Sequence, residues 1–206
     1  MQQNLFTADP AALDLPDADV RYYPEFIENG SALYASLLEE INWRQDTIQL
    51  YGKPVVIPRM NAWYGDENAH YGYSGIAMAP QCWTPSLLIL KAQVEAFLQL
   101  NFNSVLANYY RDEHDSVAWH ADDEPELGLQ PVIASLSFGA TRRFSLRRKS
   151  QSGSAPVHIE LESGSLLVMA GNTQQFWHHQ LAKSKSPVLG RINLTYRYVA
   201  EIKHGK

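Results

Sequence analysis

Cysteine occurs once in the 206 residues, at Cys82, so the chain forms no intrachain disulfide and suits a reducing compartment; a cytoplasmic protein is expected. Long apolar runs are missing too. No stretch approaches the roughly 20 apolar residues of a membrane span, and no apolar run follows a basic start, so neither insertion nor secretion is expected, and no membrane partner. No H-E-x-x-H occurs, which sets aside a helix-borne zinc-protease site, and no internal repeat or second domain is visible. Positive charge is scarce: the net charge of −5 argues against an indiscriminate nucleic-acid binder. That scarcity is local, because residues 1 to 138 carry 6 Lys/Arg against 19 Asp/Glu, whereas 139 to 206 carry 11 against 3. Arg142-Arg143, Arg147-Arg148-Lys149, Lys183 and Lys185 therefore offer a basic surface able to meet phosphates, although a charged hairpin tip is more often only solubilising.

With 45% hydrophobic residues, the chain can bury one sizeable core, and a single domain over 20 to 206 is expected, after a flexible leader over 1 to 19 rich in Ala, Asp and Pro. Val20 to Tyr23 starts a strand. Ser31 suits the N-cap of a helix over 32 to about 42, with Leu33, Leu37, Leu38 and Ile41 at helical spacing. Thr84-Pro85 opens a second helix running to about Leu100, with Leu87, Leu90 and Val94 on its buried face. Thr47 to Arg59 forms a hairpin turning around Gly52, and Tyr64-Gly65-Asp66 with Tyr71 to Gly75 forms a glycine-punctuated aromatic loop. Short strands then follow at 105–111, 117–122, 132–138, 141–148, 157–161, 165–169, 175–181 and 191–200. Eight antiparallel strands in series, with flanking helices, predict a mainly β fold, the double-stranded β-helix or jelly roll.

Two patterns carry chemistry. In His120-Ala121-Asp122 the side chains two apart share one strand face, so an imidazole and a carboxylate converge as a chelating pair. A third ligand from Trp177-His178-His179-Gln180 would complete the two-histidine, one-carboxylate set that holds non-haem Fe(II) with positions left open. Further on, Arg191, Asn193, Thr195 and Arg197 share one face of a strictly alternating strand, while Ile192, Leu194, Tyr196 and Tyr198 share the other. A ladder of donors ending in two arginines suits a molecule with a carboxylate at each end, such as 2-oxoglutarate.

In order and spacing, Asn108-x-Tyr110, His120-x-Asp122, His179 and Arg191-x-Asn193-x-Thr195-x-Arg197 resemble the AlkB family of Fe(II)/2-oxoglutarate-dependent nucleic-acid dealkylating dioxygenases, over roughly residues 45 to 200. The resemblance implies that His120, Asp122 and His179 bind Fe(II) as the catalytic centre, with His178 facing away. It further implies that Arg191 holds the distal carboxylate of 2-oxoglutarate and Arg197 its metal-proximal end, assisted by Asn108, Tyr110, Asn193 and Thr195. Tyr51, Gly52, Lys53, Arg59, Tyr71, Tyr73, Asp123 and Glu124 are implied to contact substrate in a nucleotide-recognition hairpin and loop spanning about 45 to 80 and beside the ligand strand. In that scheme Tyr51 is the finger that fills the gap left by a flipped base, Tyr73 stacks on the base, and Asp123 favours bases made cationic by methylation. The implied activity is oxidative demethylation of bases such as 1-methyladenine and 3-methylcytosine in DNA, by a monomer using Fe(II), O2 and 2-oxoglutarate and releasing succinate, CO2 and formaldehyde. Two alternatives compete with it: the same chemistry on RNA or a protein side chain, and a metal-binding jelly roll without turnover. The arginine ladder speaks against the last, which needs no cosubstrate, and the Tyr51 finger favours duplex DNA over single-stranded RNA, whose bases are already displayed.

Overall fold

The computed structural model describes residues 11–50, 52–69, 71–73, 76–150, 153 and 155–200. Two antiparallel sheets pack face to face. The larger runs in the order β1 (Ala11–Ala12), β2 (Asp19–Tyr23), β13 (Leu166–Ala170), β10 (Ile133–Gly139), β15 (Arg191–Arg197), β8 (Ser104–Tyr110) and β5 (Met60–Gly65). The smaller runs β12 (Val157–Leu161), β11 (Arg142–Arg148), β14 (Trp177–Leu181) and β9 (Val117–His120). Two small hairpins stand apart, β3 (Thr47–Leu50) with β4 (Lys53–Val56), and β6 (Tyr71–Tyr73) with β7 (Ile76–Met78). This is the jelly-roll arrangement that the serial strands predict.

The period-2 alternation of the strands splits the apolar residues into two cores. Ala107, Ala134, Leu136, Ile192, Leu194 and Tyr196 face outward from the larger sheet, where α1 (Gly30–Glu40) and α2 (Pro85–Leu98) cover them with Leu37, Leu87, Leu90 and Val94. Tyr196 donates its hydroxyl proton to the Leu87 carbonyl at 2.9 Å, tying helix to sheet. Between the sheets, Trp63, Leu106, Ile133, Leu167 and Met169 meet Phe144, Leu146, Ile159, Leu161 and Trp177. Both faces of the central strands are thus buried, and the polar residues among them must find partners inside the molecule.

Helix α2 starts as its sequence predicts, with the Thr84 hydroxyl accepting from the Leu87 amide and Pro85 in the first turn. Helix α1 does not. Asn29, in the left-handed region at φ 58°, occupies the capping position without a side-chain bond, and Ser31 lies inside the first turn. Gly30 explains the earlier start, since a Cβ there would stand 2.7 Å from the Ser163 hydroxyl, so only glycine lets the first turn pack this closely.

Residues 11 to 19 are no flexible leader. Leu15 is buried in the inter-sheet core, the Trp177 indole donates to the Pro16 carbonyl at 3.0 Å, and β1 and β2 extend the larger sheet. The aromatic loop is also corrected: Tyr64 and Gly65 end β5, where Tyr64 is buried and its hydroxyl accepts the Asn42 amide at 2.9 Å. The strand placed at 175–181 begins only at Trp177, because Thr173–Phe176 forms a helical turn, α3. At the other end of β15, Tyr198 falls beyond the strand and is exposed, so it does not share the apolar face.

Candidate metal and dicarboxylate site

Strand pairing brings the ligand residues together. β14 lies beside β9 with His179 opposite His120, and the inward residues of β14 are Trp177, His179 and Leu181, which leaves His178 on the outer face. Donor atoms of His120, Asp122 and His179 all lie within 4.8 Å of one another. The two imidazole centroids are 4.2 Å apart, and Phe144 packs along the His179 ring at 5.4 Å.

Hydrogen bonds prepare each group. The Ala118 carbonyl lies 2.8 Å from His120 Nδ1, and since a carbonyl only accepts, Nδ1 carries the proton and Nε2 keeps its lone pair. That Nε2 stands 3.9 Å from Asp122 Oδ1. Asp122 Oδ2 receives Arg197 Nη2 at 2.8 Å, and the Asp122 amide donates to Gln174 Oε1 at 2.9 Å, whereas the buried Oδ1 has no hydrogen-bond partner. One carboxylate oxygen is therefore neutralised and the other is left for a cation.

Electrostatics point the same way. Burial by itself would raise the Asp122 carboxyl, but Arg197 and then the two imidazoles outweigh it and hold the pKa down at about 2. Burial, then the His120 neighbour, pushes His179 down to about 3, and burial likewise lowers His120. Near neutral pH the site presents two uncharged imidazoles and one carboxylate, a donor set that needs to lose no proton to bind a divalent metal. The residues fit Fe(II).

The inner face of the larger sheet forms the rest of the cavity. Arg191, Asn193, Thr195 and Arg197 of β15 all line it, together with Asn108 and Tyr110 of β8, Arg59, and an apolar wall that includes Leu106, Phe144, Leu161, Met169 and Leu181. Arg191 is fully buried; its Nη2 donates to the Ser137 hydroxyl at 2.9 Å, its Nε has no partner, and its Cζ lies 5.5 Å from the Tyr110 ring centroid. Burial lowers its pKa to about 10, so it stays charged near neutrality. Asn193 donates to the Ser135 hydroxyl at 2.7 Å and the Leu136 carbonyl at 3.0 Å, and its Oδ1 accepts from Thr195 at 3.0 Å. A buried guanidinium with an unpartnered Nε at one end of a cavity and a cation-ready triad in the same cavity suit a chelating oxo acid with a distal carboxylate.

The residues expected to touch substrate are distributed differently. Arg59 is buried in the cavity wall, where its Nε donates to Asn108 Oδ1 at 2.8 Å, and does not stand with the hairpin's exposed residues. Asp123 is exposed and holds Lys149 at 2.8 Å, and Glu124 is half-buried. Gly52, at φ 76°, turns the β3–β4 hairpin, and Lys53 follows it, exposed. Tyr51 lies outside the described residues, as do the side chains of Tyr71 and Tyr73, whose backbone forms β6. Of the basic residues, Arg142 is buried rather than surface-facing, and Arg143, Arg148 and Lys149 pair with Glu160, Asp17 and Asp123. His114 and His158 are exposed, as expected of surface histidines; His70 and His204 lie outside the described residues.

Sequence reasoning misses Ser135, Ser137 and Gln174. The serines have a signal, since they alternate with Leu136 and Phe138 on β10 and fall opposite Thr195 and Asn193. Gln174 has none, because it reaches Asp122 from 52 positions away.

Comparison with known proteins agrees with the site. The profile of the 2OG-Fe(II) oxygenase superfamily matches residues 19–197. The chain is 43% identical over 187 residues to alpha-ketoglutarate-dependent dioxygenase alkB homolog 3 of Mus musculus, covering 86% of this chain and 65% of that protein. It is 38% identical over 162 residues to DNA oxidative demethylase ALKBH2 of Mus musculus, covering 76% of this chain and 68% of that one. The chain thus spans about two thirds of the length of these relatives. A solved structure of OsALKBH1 shares the fold, with a TM-score of 0.63 at 16% identity over 86% of this chain and 97% of that one. No helix among the described residues is long and apolar enough to cross a membrane. With a profile covering most of its length, and a His-Asp-His cluster and an arginine ladder in one cavity, the chain belongs to the 2OG-Fe(II) oxygenase superfamily and, within it, to the AlkB family.

Proposed function

We propose that this chain removes alkyl groups from the nitrogens of nucleic-acid bases by oxidation, acting on lesions such as 1-methyladenine and 3-methylcytosine in DNA. The observation that carries the reading is the single cavity that holds both the triad of donor atoms within 4.8 Å and the buried Arg191. Relatives described as DNA oxidative demethylases support the substrate class.

His120, Asp122 and His179 would hold Fe(II), and 2-oxoglutarate would bind with its distal carboxylate on Arg191. When bound, iron, 2-oxoglutarate and O2 together supply the oxidation of the N-alkyl carbon, whose hydroxylated product sheds formaldehyde and restores the base. The chain's own work is positional. Arg197 holds Asp122 Oδ2 so that Oδ1 alone faces the metal position, a fixed geometry for one ligand oxygen. Its Nη2 is thus committed to the metal ligand, which supports a role for Arg197 at the metal-proximal end of the cosubstrate. Asn193, Thr195 and Asn108 line the space between, each oriented by a bond to a neighbour. Leu106, Leu161, Met169 and Leu181 give that space one apolar wall, which strengthens the electrostatic contacts beside it.

For the base, Tyr51 takes the finger role and Tyr73 the stacking role, with Tyr71, Gly52, Lys53, Arg59 and Glu124 in supporting contacts. For Asp123 to favour a cationic base, it must exchange its Lys149 partner for the base. The reading is tested by incubating the protein with Fe(II), 2-oxoglutarate and oligonucleotides carrying 1-methyladenine or 3-methylcytosine as duplex DNA, single-stranded DNA and RNA. Loss of the methyl mass that depends on 2-oxoglutarate is the expected result; uncoupled turnover with every oligonucleotide intact overturns it.

A further inference from the structure

Arg142 is 3% exposed, and no carboxylate lies within ion-pair distance of it among the described residues. Burying a guanidinium with no carboxylate in contact is costly, and the nearby acids Asp115, Asp112 and Glu113 offset that burial only in part. Its bonds go to main-chain carbonyls of two loops: Nη1 donates to Asp112 at 3.1 Å, and Nη2 to Asp115 at 3.0 Å and Ala182 at 2.8 Å. The Asp115 carboxylate is itself taken by Arg111, through Nε at 2.7 Å, Nη2 at 2.8 Å and the amide at 2.9 Å.

Those two loops matter. The first leaves Tyr110 at the end of β8 and leads into the His120 strand; the second leaves the His179 strand and leads into Arg191. Tyr110 and Arg191 are direct partners in the β8–β15 pairing. Behind them, Gly139 sits at φ 87° opposite Arg191, where a Cβ would run into the Gly190 carbonyl, so the turn that carries Arg142 is pressed against the second loop. The Arg142 Cζ lies 6.0 Å from the Tyr110 centroid and the Arg191 Cζ 5.5 Å from the same point. Two buried cations therefore flank one aromatic ring, and Arg142 disfavours the charge on Arg191. A neutral donor would tie the loops without that repulsion; the charge of Arg142, already favoured by Asp115, Asp112 and Glu113 of the first loop, gains further when an anion arrives to be shared.

We infer that Arg142 is a positioning residue for the dicarboxylate cosubstrate: it tethers the loops that set Tyr110 and Arg191, adds a second positive charge behind Arg191, and so favours 2-oxo dicarboxylates over 2-oxo monocarboxylates. This rests on the cosubstrate reading given above. Arg142 touches neither metal nor cosubstrate in this scheme; it acts through Tyr110 and Arg191.

The test is calorimetric titration of the Zn(II)-loaded protein with 2-oxoglutarate and with 2-oxopentanoate, which chelates alike but lacks the distal carboxylate. Arg142→Met is expected to weaken 2-oxoglutarate roughly tenfold and 2-oxopentanoate less than about twofold, the two-charge arrangement serving only the former. Arg142→Lys, which keeps the charge but loses the fork, is expected to fall between wild type and Arg142→Met for 2-oxoglutarate, and it decides the matter by the same comparison if Arg142→Met does not fold. Unchanged 2-oxoglutarate affinity, or an equal loss for both acids, overturns the inference and leaves Arg142 a loop clamp. Wild-type protein that binds Zn(II) but shows no preference for 2-oxoglutarate over 2-oxopentanoate removes the cosubstrate reading itself, and this inference with it.

Discussion

Arg197 and Asp122 form a buried ion pair, Nη2 to Oδ2 at 2.8 Å, that leaves Asp122 with one committed oxygen and one open one. The pair joins the last residue of β15 to the residue two beyond His120, so the cosubstrate ladder and the metal ligands are one electrostatic unit. Arg197→Met would strand the Asp122 charge in the interior, and breaking such a pair costs about 3–5 kcal/mol. The urea midpoint of the metal-free protein should fall accordingly. In the double variant with Asp122→Asn, part of that loss should return, because no unpaired charge remains.

The triad assignment is checked by metal affinity. Asp122→Ala and His179→Ala should each abolish Fe(II) binding and turnover, while His178→Ala, altered only on the outer face of β14, should retain most of both. A dead His178→Ala variant with a working His179→Ala would place the third ligand on the other face of the strand.

Arg191→Met should raise the 2-oxoglutarate requirement. Losing a charge-assisted bond to a buried carboxylate is worth about 1.5–3 kcal/mol, roughly ten- to a hundredfold in affinity. Because Arg191 is not among the metal ligands, Fe(II) affinity measured without cosubstrate should hardly change. Unaltered cosubstrate dependence would remove Arg191 from the site.

Acid should destabilise the metal-free protein in a window set by the histidines. His179 is held at about 3 and His120 is lowered as well, against an ordinary value of 6.5. Below 6.5 the unfolded chain takes up protons that the native site refuses, so stability is fully present above that pH and drains away as the pH falls towards 3. Asp122 contributes only lower down, between its ordinary 3.8 and about 2. Urea midpoints taken from about pH 8 to about pH 5 should therefore decline more steeply for wild type than for His179→Gln. Parallel profiles would show that His179 is not buried in its neutral form.

For Tyr51 the expected signature is strandedness. If this residue fills the gap left by a flipped base, it offsets an unpairing and unstacking cost of a few kcal/mol that exists only in duplex. Tyr51→Ala should impair repair of a methylated base in duplex DNA strongly and leave the same lesion in single-stranded DNA nearly as good a substrate. Equal loss on both would make its role structural, and no loss on either would leave the finger without support.

The sequence by itself determined whatever is local and periodic. The alternation from Arg191 to Arg197 put four polar side chains on one face and the apolar set of Ile192, Leu194 and Tyr196 on the other, because a strand has period 2 wherever it lies. His120-x-Asp122 announced a chelating pair on the same ground, and the two do converge, although the strand expected over 117–122 ends at His120 and Asp122 follows it; Thr84-Pro85 announced a helix start because capping is settled within one turn. The tertiary structure decided the rest. Only the pairing of β14 with β9 turns His179 rather than His178 inward, and only the sandwich brings Arg197 to Asp122, Ser137 to Arg191 and Gln174 to the Asp122 amide. Arg142, one of a basic cluster in the chain, became a buried tether because two loops far apart in sequence meet at its guanidinium. Face and period follow from a residue's immediate neighbours along the chain; the partner of a buried charge depends on which distant strand arrives beside it.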